Sequence, residues 1–398
     1  MVRIAVVVSH PIQHFAPWYR ATAALPGIEL KVLYCSLMGA ESYYDPSFGI
    51  KVKWDIPLLD GYNWELLESR KEIRQLTFLS TDNPDVGREL ERFVPDVVLV
   101  HGYAYRTMWR ASAWCHENGV PLLLYSDSNV LAVSPVWKRV FKKALVRSFY
   151  RRVDGAISVG NNNYAYHLQY GIPESRLFRG ALPIDVRRII ASAGDLVSAR
   201  NEIRMMHGIP QKAFLVVLSG KLIPRKSPQD VVKAIARCAE RGLDVWAILV
   251  GEGSERPGIE ALLAKGNISN VVLAGFVNQS MIGRYYASSD ALVVSSEYDP
   301  HPLVVPEAGC FGLPVIASDR IGCIGSSDTA REDENALIYP HSDIDALTER
   351  MTRLYQDNSL YESMSAAARQ IAESQDISVA AEQVKSAAIQ LKALGCRP

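Results

Sequence analysis

Short strand-like runs, most of them predominantly apolar, recur along this chain, and helical patterns separate them. A strand covered on both faces reads as a continuous apolar run, whereas a strand with one wet face alternates. In the first half such runs lie at Arg3 to Val8, Ile28 to Tyr34, Pro95 to Tyr103, Pro121 to Tyr125 and Asp154 to Gly160. In the second half they lie at Ala213 to Leu218, Val245 to Val250, Val271 to Val277, Ala291 to Val294, Leu313 to Ala317 and Asn335 to Tyr339. Parallel neighbours need a crossover connection, usually a helix, so the alternation predicts α/β architecture with parallel sheets. A length of 398 residues exceeds one ordinary core and predicts two domains, 1–190 and 191–375, with a last helix over 376–398.

Charge narrows the partners. Basic and acidic side chains both total 43, which leaves no nucleic-acid footprint. Residues 1–190 carry 23 Lys/Arg against 18 Asp/Glu, and residues 191–398 carry 20 against 25, so the first half is the one to meet an anionic partner. Cys35, Cys115, Cys238, Cys310, Cys323 and Cys396 are scattered without metal-ligand or disulfide spacing, which points to a reducing, cytoplasmic compartment and no metal site. The opening run from Met1 to Val8 is too short for a signal peptide and reads as a first strand. No apolar run approaches the ~20 residues of a transmembrane helix.

In the first half, His10, Gln13 and His14 follow the first strand, where they either contact an acceptor or close a turn and cap the helix. Residues 38–83 read as irregular and rich in Tyr, Trp and Asp; Tyr43, Tyr44, Trp54, Tyr62 and Trp64 either stack on sugar rings or fill the core. His101 stands at the carboxyl end of a strand, the edge at which α/β sheets bind ligands. A helix over 137–152 places Trp137, Val140, Phe141, Ala144, Leu145, Ser148 and Phe149 on one face and Lys138, Arg139, Lys142, Lys143 and Arg147 on the other. That helix either packs on the sheet with a solvated basic face or docks peripherally on anionic lipid. Residues 187–200 read as a linker with the first turn of a helix, and Gly322 to Glu334 as a flexible loop.

The stretch from Ser295 to Gly309 carries the chemistry. It joins two apolar runs through a loop holding Asp299 and His301, then enters a short helix near Leu303. Seven residues separate Asp299 from Glu307. A carboxylate accepts two hydroxyl hydrogen bonds, so this pair suits a polyol such as a sugar or ribose. The helix start favours phosphate, and with Pro300 and Pro302 lacking N–H groups the backbone donors are His301, Leu303 and Val304. Upstream, Ser219-Gly220-Lys221 and Lys226 place two cations five residues apart on a loop after a strand, a pattern suited to a diphosphate. Gly251-Glu252-Gly253 follows the next strand without the third glycine of a dinucleotide fingerprint.

These motifs resemble the retaining glycosyltransferases of family 4 (group 1), which have the GT-B fold of two Rossmann-like domains facing across a cleft. The resemblance runs through Gly220 to Lys226, Gly251 to Gly253, Val271 to Val277, the Asp299 to Glu307 pair and the run from Glu307 to Ser318. Lys221 stands where the family usually has arginine, and Asp299 where it usually has glutamate. The resemblance implies transfer of a sugar from a UDP- or GDP-linked donor to a sugar, lipid-linked or other hydroxyl acceptor, in surface polysaccharide, glycolipid or glycoconjugate synthesis. It implies that Lys221 and Lys226 face the diphosphate, Asp299 and His101 the donor sugar, and Glu307 the ribose. Gly220, Gly251, Phe276, Val277, His301, Leu303 and Val304 would complete the nucleotide site, without metal or cofactor. It also implies that the last helix returns to the first domain. Two other functions stay open on the same fold: a sugar-nucleotide epimerase or phosphorylase, and a non-catalytic sugar-nucleotide binder.

Overall fold

A computed structural model describes residues 1–397 apart from 47, 71, 72, 74 and 132–135; for 136–142 it describes the backbone alone. The chain divides into two compact units. Unit 1 is Met1–Ser42, Pro57–Pro183 and Asp376–Pro398, and unit 2 is Tyr43–Ile56 and Ile184–Gln375. The boundary therefore falls at Pro183/Ile184 and not at 190/191, and a segment from the first half belongs to the second unit.

Unit 1 begins with β1 (Val2–Val8), α1 (Phe15–Ala23) and β2 (Ile28–Tyr34). The chain then contributes an antiparallel hairpin to unit 2, β3 (Tyr43–Asp45) and β4 (Ile50–Val52), and returns as β5 (Asn63–Leu66). Next come α2 (Val86–Phe93), β6 (Val97–His101), α3 (Arg106–Asn118), β7 (Leu122–Tyr125), α4 (Val136–Tyr150), β8 (Gly155–Ser158), α5 (Asn161–Gln169) and β9 (Leu177–Arg179). Among the described residues the sheet order is β5-β2-β1-β6-β7-β8-β9, parallel throughout. Residues 38–83 are largely irregular, as expected, but hold three short strands that sequence reading did not find, and β5 pairs with β2 from Lys31↔Asn63 to Tyr34↔Leu66.

On the described part of α4 the expected inward face is buried only at Phe149. Ala144, Leu145 and Ser148 are exposed, while Val146, Phe149 and Tyr150 are buried with Val153. The side chains of Trp137, Lys138, Arg139, Val140, Phe141 and Lys142 lie outside the described residues.

From Ile184 unit 2 continues with α6 (Val186–Ala191), where a linker was expected, and α7 (Leu196–Met206), whose first turn was expected by Arg200. Asp185 and Asp195 cap them, accepting from Arg188 N at 3.0 Å and Ser198 N at 2.9 Å. Then follow β10 (Phe214–Ser219), α8 (Pro228–Glu240), β11 (Val245–Val250), α9 (Arg256–Gly266), β12 (Val271–Gly275) and α10 (Ile282–Ser288). The unit continues with β13 (Ala291–Val294), α11 (Val304–Gly309), β14 (Val315–Ser318), β15 (Ala336–Tyr339), α12 (Ile344–Gln356) and α13 (Asn358–Glu373). The parallel sheet runs β12-β11-β10-β13-β14-β15, the doubly wound dinucleotide-binding order. Fully buried Arg204 ties α7 to this sheet. Its guanidinium donates to the carbonyls of Ser288, Pro210, Gln211 and Ala213 and pairs with Asp290 at 2.7 Å, so every face of a costly buried charge is answered. The 322–334 loop is packed rather than loose, with Cys323 and Ala330 fully buried.

The final helix, α14 (Ile377–Leu394), belongs to unit 1 and packs on α1, with Lys392 Nζ 2.8 Å from Asp96. Both units are Rossmann-like, as the alternation of runs predicts. No described helix is long and apolar enough to cross a membrane. All six cysteines are free thiols.

Candidate active site

In unit 2 the strand order reverses between β10 and β13, and a crevice opens beyond their carboxyl ends as such a reversal requires. β10 delivers Ser219, Gly220 and Lys221; β13 delivers Ser295 and Ser296. The two loops are stitched together. Ser295 Oγ donates to the Lys226 carbonyl at 2.8 Å, Glu297 N to the Arg225 carbonyl at 2.9 Å, and Arg225 Nη1 to the Tyr298 carbonyl at 2.7 Å. Between them lies an open, shallow pocket lined by Gly220, Lys221, Lys226, Ser295, Ser296 and Val304 among others.

Both expected cations border this pocket, and each meets a carboxylate. Lys226 forms an ion pair with Asp299, so the residue expected at the diphosphate and the residue expected at the donor sugar touch one another. Asp299 is only 7% exposed, and its backbone is fixed by a bridge to Ile321 and by Gly322 N donating to its carbonyl at 2.7 Å. Lys221 Nζ lies 3.1 and 3.0 Å from the two oxygens of Asp45 on β3, which sequence reading did not single out.

Glu307 sits in the short helix α11 and accepts from the Tyr286 hydroxyl at 3.0 Å. Burial pushes its carboxyl up to about 6, while the Tyr286 hydrogen bond and the Arg188 charge pull it back down. Arg188 is a second residue missed from sequence. Its Nη2 donates to Gln279 Oε1 at 3.0 Å, and its Nε and Nη1 are buried without a hydrogen-bond partner. The signal that could have found it is Asp185, an N-cap three residues earlier. His301 is buried, and Leu303 is the N-cap of α11, which begins where expected.

The Gly251-x-Gly253 pair serves backbone packing. A Cβ on Gly251 would stand 1.8 Å from the Gly220 carbonyl oxygen, and one on Gly253 would stand 2.2 Å from that of Leu222. Both have positive φ, 145° and 157°, so glycine is required on two counts. Phe276 and Val277 follow β12, and the Phe276 ring meets Phe48 at 5.4 Å and Trp54 at 6.3 Å between centroids.

His101 lies in unit 1, at the carboxyl end of β6. Its Nε2 is 2.8 Å from the Tyr19 hydroxyl, and its ring packs 4.4 Å from that of Phe15. Burial, then the neighbouring His14, lowers its pKa to about 3, so it is a neutral hydrogen-bonding group. Burial likewise lowers His10 to about 4 and His14 to about 3. His10 Nδ1 pairs with Ser9 Oγ at 2.9 Å, and His14 stands at the start of α1 without a side-chain capping bond. Among the described residues no group of three or more His, Cys, Asp or Glu is placed to hold a metal ion.

Residues 199–371, all in unit 2, match the family described as glycosyl transferases group 1. A GDP-mannose-dependent alpha-mannosyltransferase of Mycobacterium tuberculosis is 28% identical over 244 residues, 59% of this chain and 58% of the relative. The chain spans about half the length of the curated relatives it matches. Among solved structures, sucrose-phosphate synthase from Thermosynechococcus elongatus aligns with 99% of this chain and 100% of its own, at TM-score 0.74 and 17% identity. Anabaena HepE in complex with UDP and glucose aligns over 97% and 99%, at TM-score 0.69 and 15% identity. The structural neighbours are GT-B glycosyltransferases, and at these identities they bear on the fold alone.

Proposed function

We propose that this chain is a group 1 glycosyltransferase that moves a sugar, with retention at the anomeric carbon, from a nucleoside-diphosphate sugar to an acceptor hydroxyl. One observation carries it: Lys221 and Lys226 border a single pocket at the strand-order reversal of the unit that matches the family. On this reading the ammonium groups take up the negative charge that builds on the departing diphosphate, an electrostatic contribution of about 10²–10³ in rate per donor. Ionised Glu307 accepts from two ribose hydroxyls, and Asp299 accepts from the donor sugar. Phe276 and Val277 border the base, and the start of α11 at Leu303 and Val304 supplies N–H groups. A relative named for GDP-mannose and a neighbour holding UDP support a GDP- or UDP-linked donor. A sugar, glycolipid or growing surface polysaccharide is the acceptor we propose, used from the cytoplasmic side without metal or cofactor.

Thermal shift against UDP-, GDP- and ADP-sugars selects the donor, and the anomeric configuration of the product then decides the mechanism. Stabilisation by one donor and a product retaining its configuration are expected. Stabilisation by none, or an inverted product, would remove the proposal. Binding without product would identify a sugar-nucleotide binder, sugar phosphate released with inorganic phosphate a phosphorylase, and an altered sugar on the nucleotide an epimerase.

A further inference from the structure

The β3–β4 hairpin covers the groups that the proposed donor needs. Both oxygens of Asp45 meet Lys221 Nζ, at 3.1 and 3.0 Å, and the Phe48 ring lies 4.7 Å from the same ammonium. Phe48 and Trp54 also cover Phe276, the residue assigned to the base. A carboxylate and two aromatic rings thus stand on the phosphate and base positions of one site.

We infer, on the functional reading above, that strands β3 and β4 with residues 53–56 form a strap in which Asp45 holds Lys221, and that a nucleoside diphosphate must displace Asp45 to reach that lysine. Both anions need the same N–H donors, and a lysine has three of them at one point. A diphosphate carries more charge than a carboxylate and forms strong charge-assisted bonds, so it takes the ammonium once it arrives.

Geometry distinguishes the acid that yields from the acid that stays. Both acids are buried, Asp299 at 7% and Asp45 at 8% exposed, but the Asp299 backbone is tied to a second loop at Ile321 and Gly322, whereas the bonds from Phe48 N and Gly49 N to Asp45 lie within the hairpin itself. Asp45 ends a three-residue strand whose ladder partner is another three-residue strand, and an isolated two-stranded hairpin is marginal in water. The strap is fastened at its foot instead. Asn278 Nδ2 donates to the Lys53 carbonyl at 2.7 Å, and Ser280 N lies 3.2 Å from both oxygens of Asp55. Asp45 can therefore lift with β3 and β4 while residues 53–55 remain attached.

The test is titration calorimetry with UDP and with GDP on wild type, Asp45→Asn, Phe48→Ala, Lys221→Ala and the Asp45→Asn/Lys221→Ala double variant. Asp45→Asn should tighten binding roughly tenfold, because binding no longer has to displace the strap. Phe48→Ala should tighten it less, and Asp45→Asn should bring no gain when Lys221 is already alanine. In wild type, hydrogen exchange in β3 and β4 should speed up on nucleotide binding, a readout that stands even where a variant fails to fold. Unchanged or weaker binding in Asp45→Asn, or slower exchange of the hairpin with nucleotide, overturns the strap and leaves the functional reading standing. Binding of neither nucleotide to any form, wild type included, removes the functional reading and the strap with it.

Discussion

Replacing Glu307 by glutamine is the sharpest probe of the proposed ribose contact. The carboxyl titrates near 6 because burial disfavours its charged form, so it is ionised and able to accept two hydroxyls at pH 8. At pH 5, one unit below that value, only about a tenth remains ionised, and donor affinity should fall roughly tenfold. Glu307→Gln should bind the donor about 10–100-fold more weakly at pH 8, the loss of a charge-assisted bond of ~1.5–3 kcal/mol, and should show no pH dependence between 5 and 8. The probe must be the intact nucleotide sugar, since a free nucleoside diphosphate has its own phosphate ionisation near pH ~6. Stability runs the other way. The folded carboxyl holds its proton more tightly than the unfolded one, so the wild-type chain loses roughly 2 kcal/mol in all as pH rises from well below 4.5 to well above 6, and Glu307→Gln does not. In that variant the amide oxygen still accepts from Tyr286, so Tm at pH 5 should change little. Glu307→Ala leaves the buried hydroxyl without a partner, at ~1–3 kcal/mol, and should lower Tm. Calorimetric titration of the nucleotide sugar across pH 5–8 is the assay. A pH limb that survives in Glu307→Gln, or none in wild type, refutes the assignment of the ribose contact.

Lys226→Ala should reduce transfer by about 10²–10³ and also destabilise, because it leaves buried Asp299 uncompensated. Since Lys226 is 21% exposed, about 1–3 kcal/mol is expected, and Lys226→Ala/Asp299→Ala should regain Tm without regaining turnover. Gly251→Ala should lower Tm by roughly 8 °C or more, because its Cβ would stand 1.8 Å from a backbone oxygen and the residue must keep a positive φ. A stable, soluble Gly251→Ala protein would show that the β10 and β11 loops do not nest as described.

What could be read from sequence divides along a physical line. Strands such as β11 and β13 are legible because each is buried on both faces, and a continuous apolar run leaves few other folds for it. Lys221 and Lys226 are legible for a related reason: a cation just after a buried strand lies at the sheet edge that binds ligands. Their partners are not legible, because 176 residues separate Asp45 from Lys221 and 73 separate Lys226 from Asp299, and no local pattern encodes such a meeting. The hairpin gives a weak signal for the same reason. Its strands of three residues are too short for alternation to register, and long-range contacts at Lys221, Phe276, Asn278 and Ser280 decide its place. The helices α6 and α7 differ, since Asp185 and Asp195 are ordinary N-cap residues and the arginine-rich stretch between them concealed a readable start. Arg204 is the harder case. An arginine in a polar helical run reads as solvated, yet four backbone carbonyls and Asp290 converge on it only after α7, β10 and α10 have come together. In this chain, then, local pattern fixes the scaffold and the residue types at its edge. The pairing of charges, which decides whether Lys221 is available to a phosphate, is a property of the folded unit and has to be tested there.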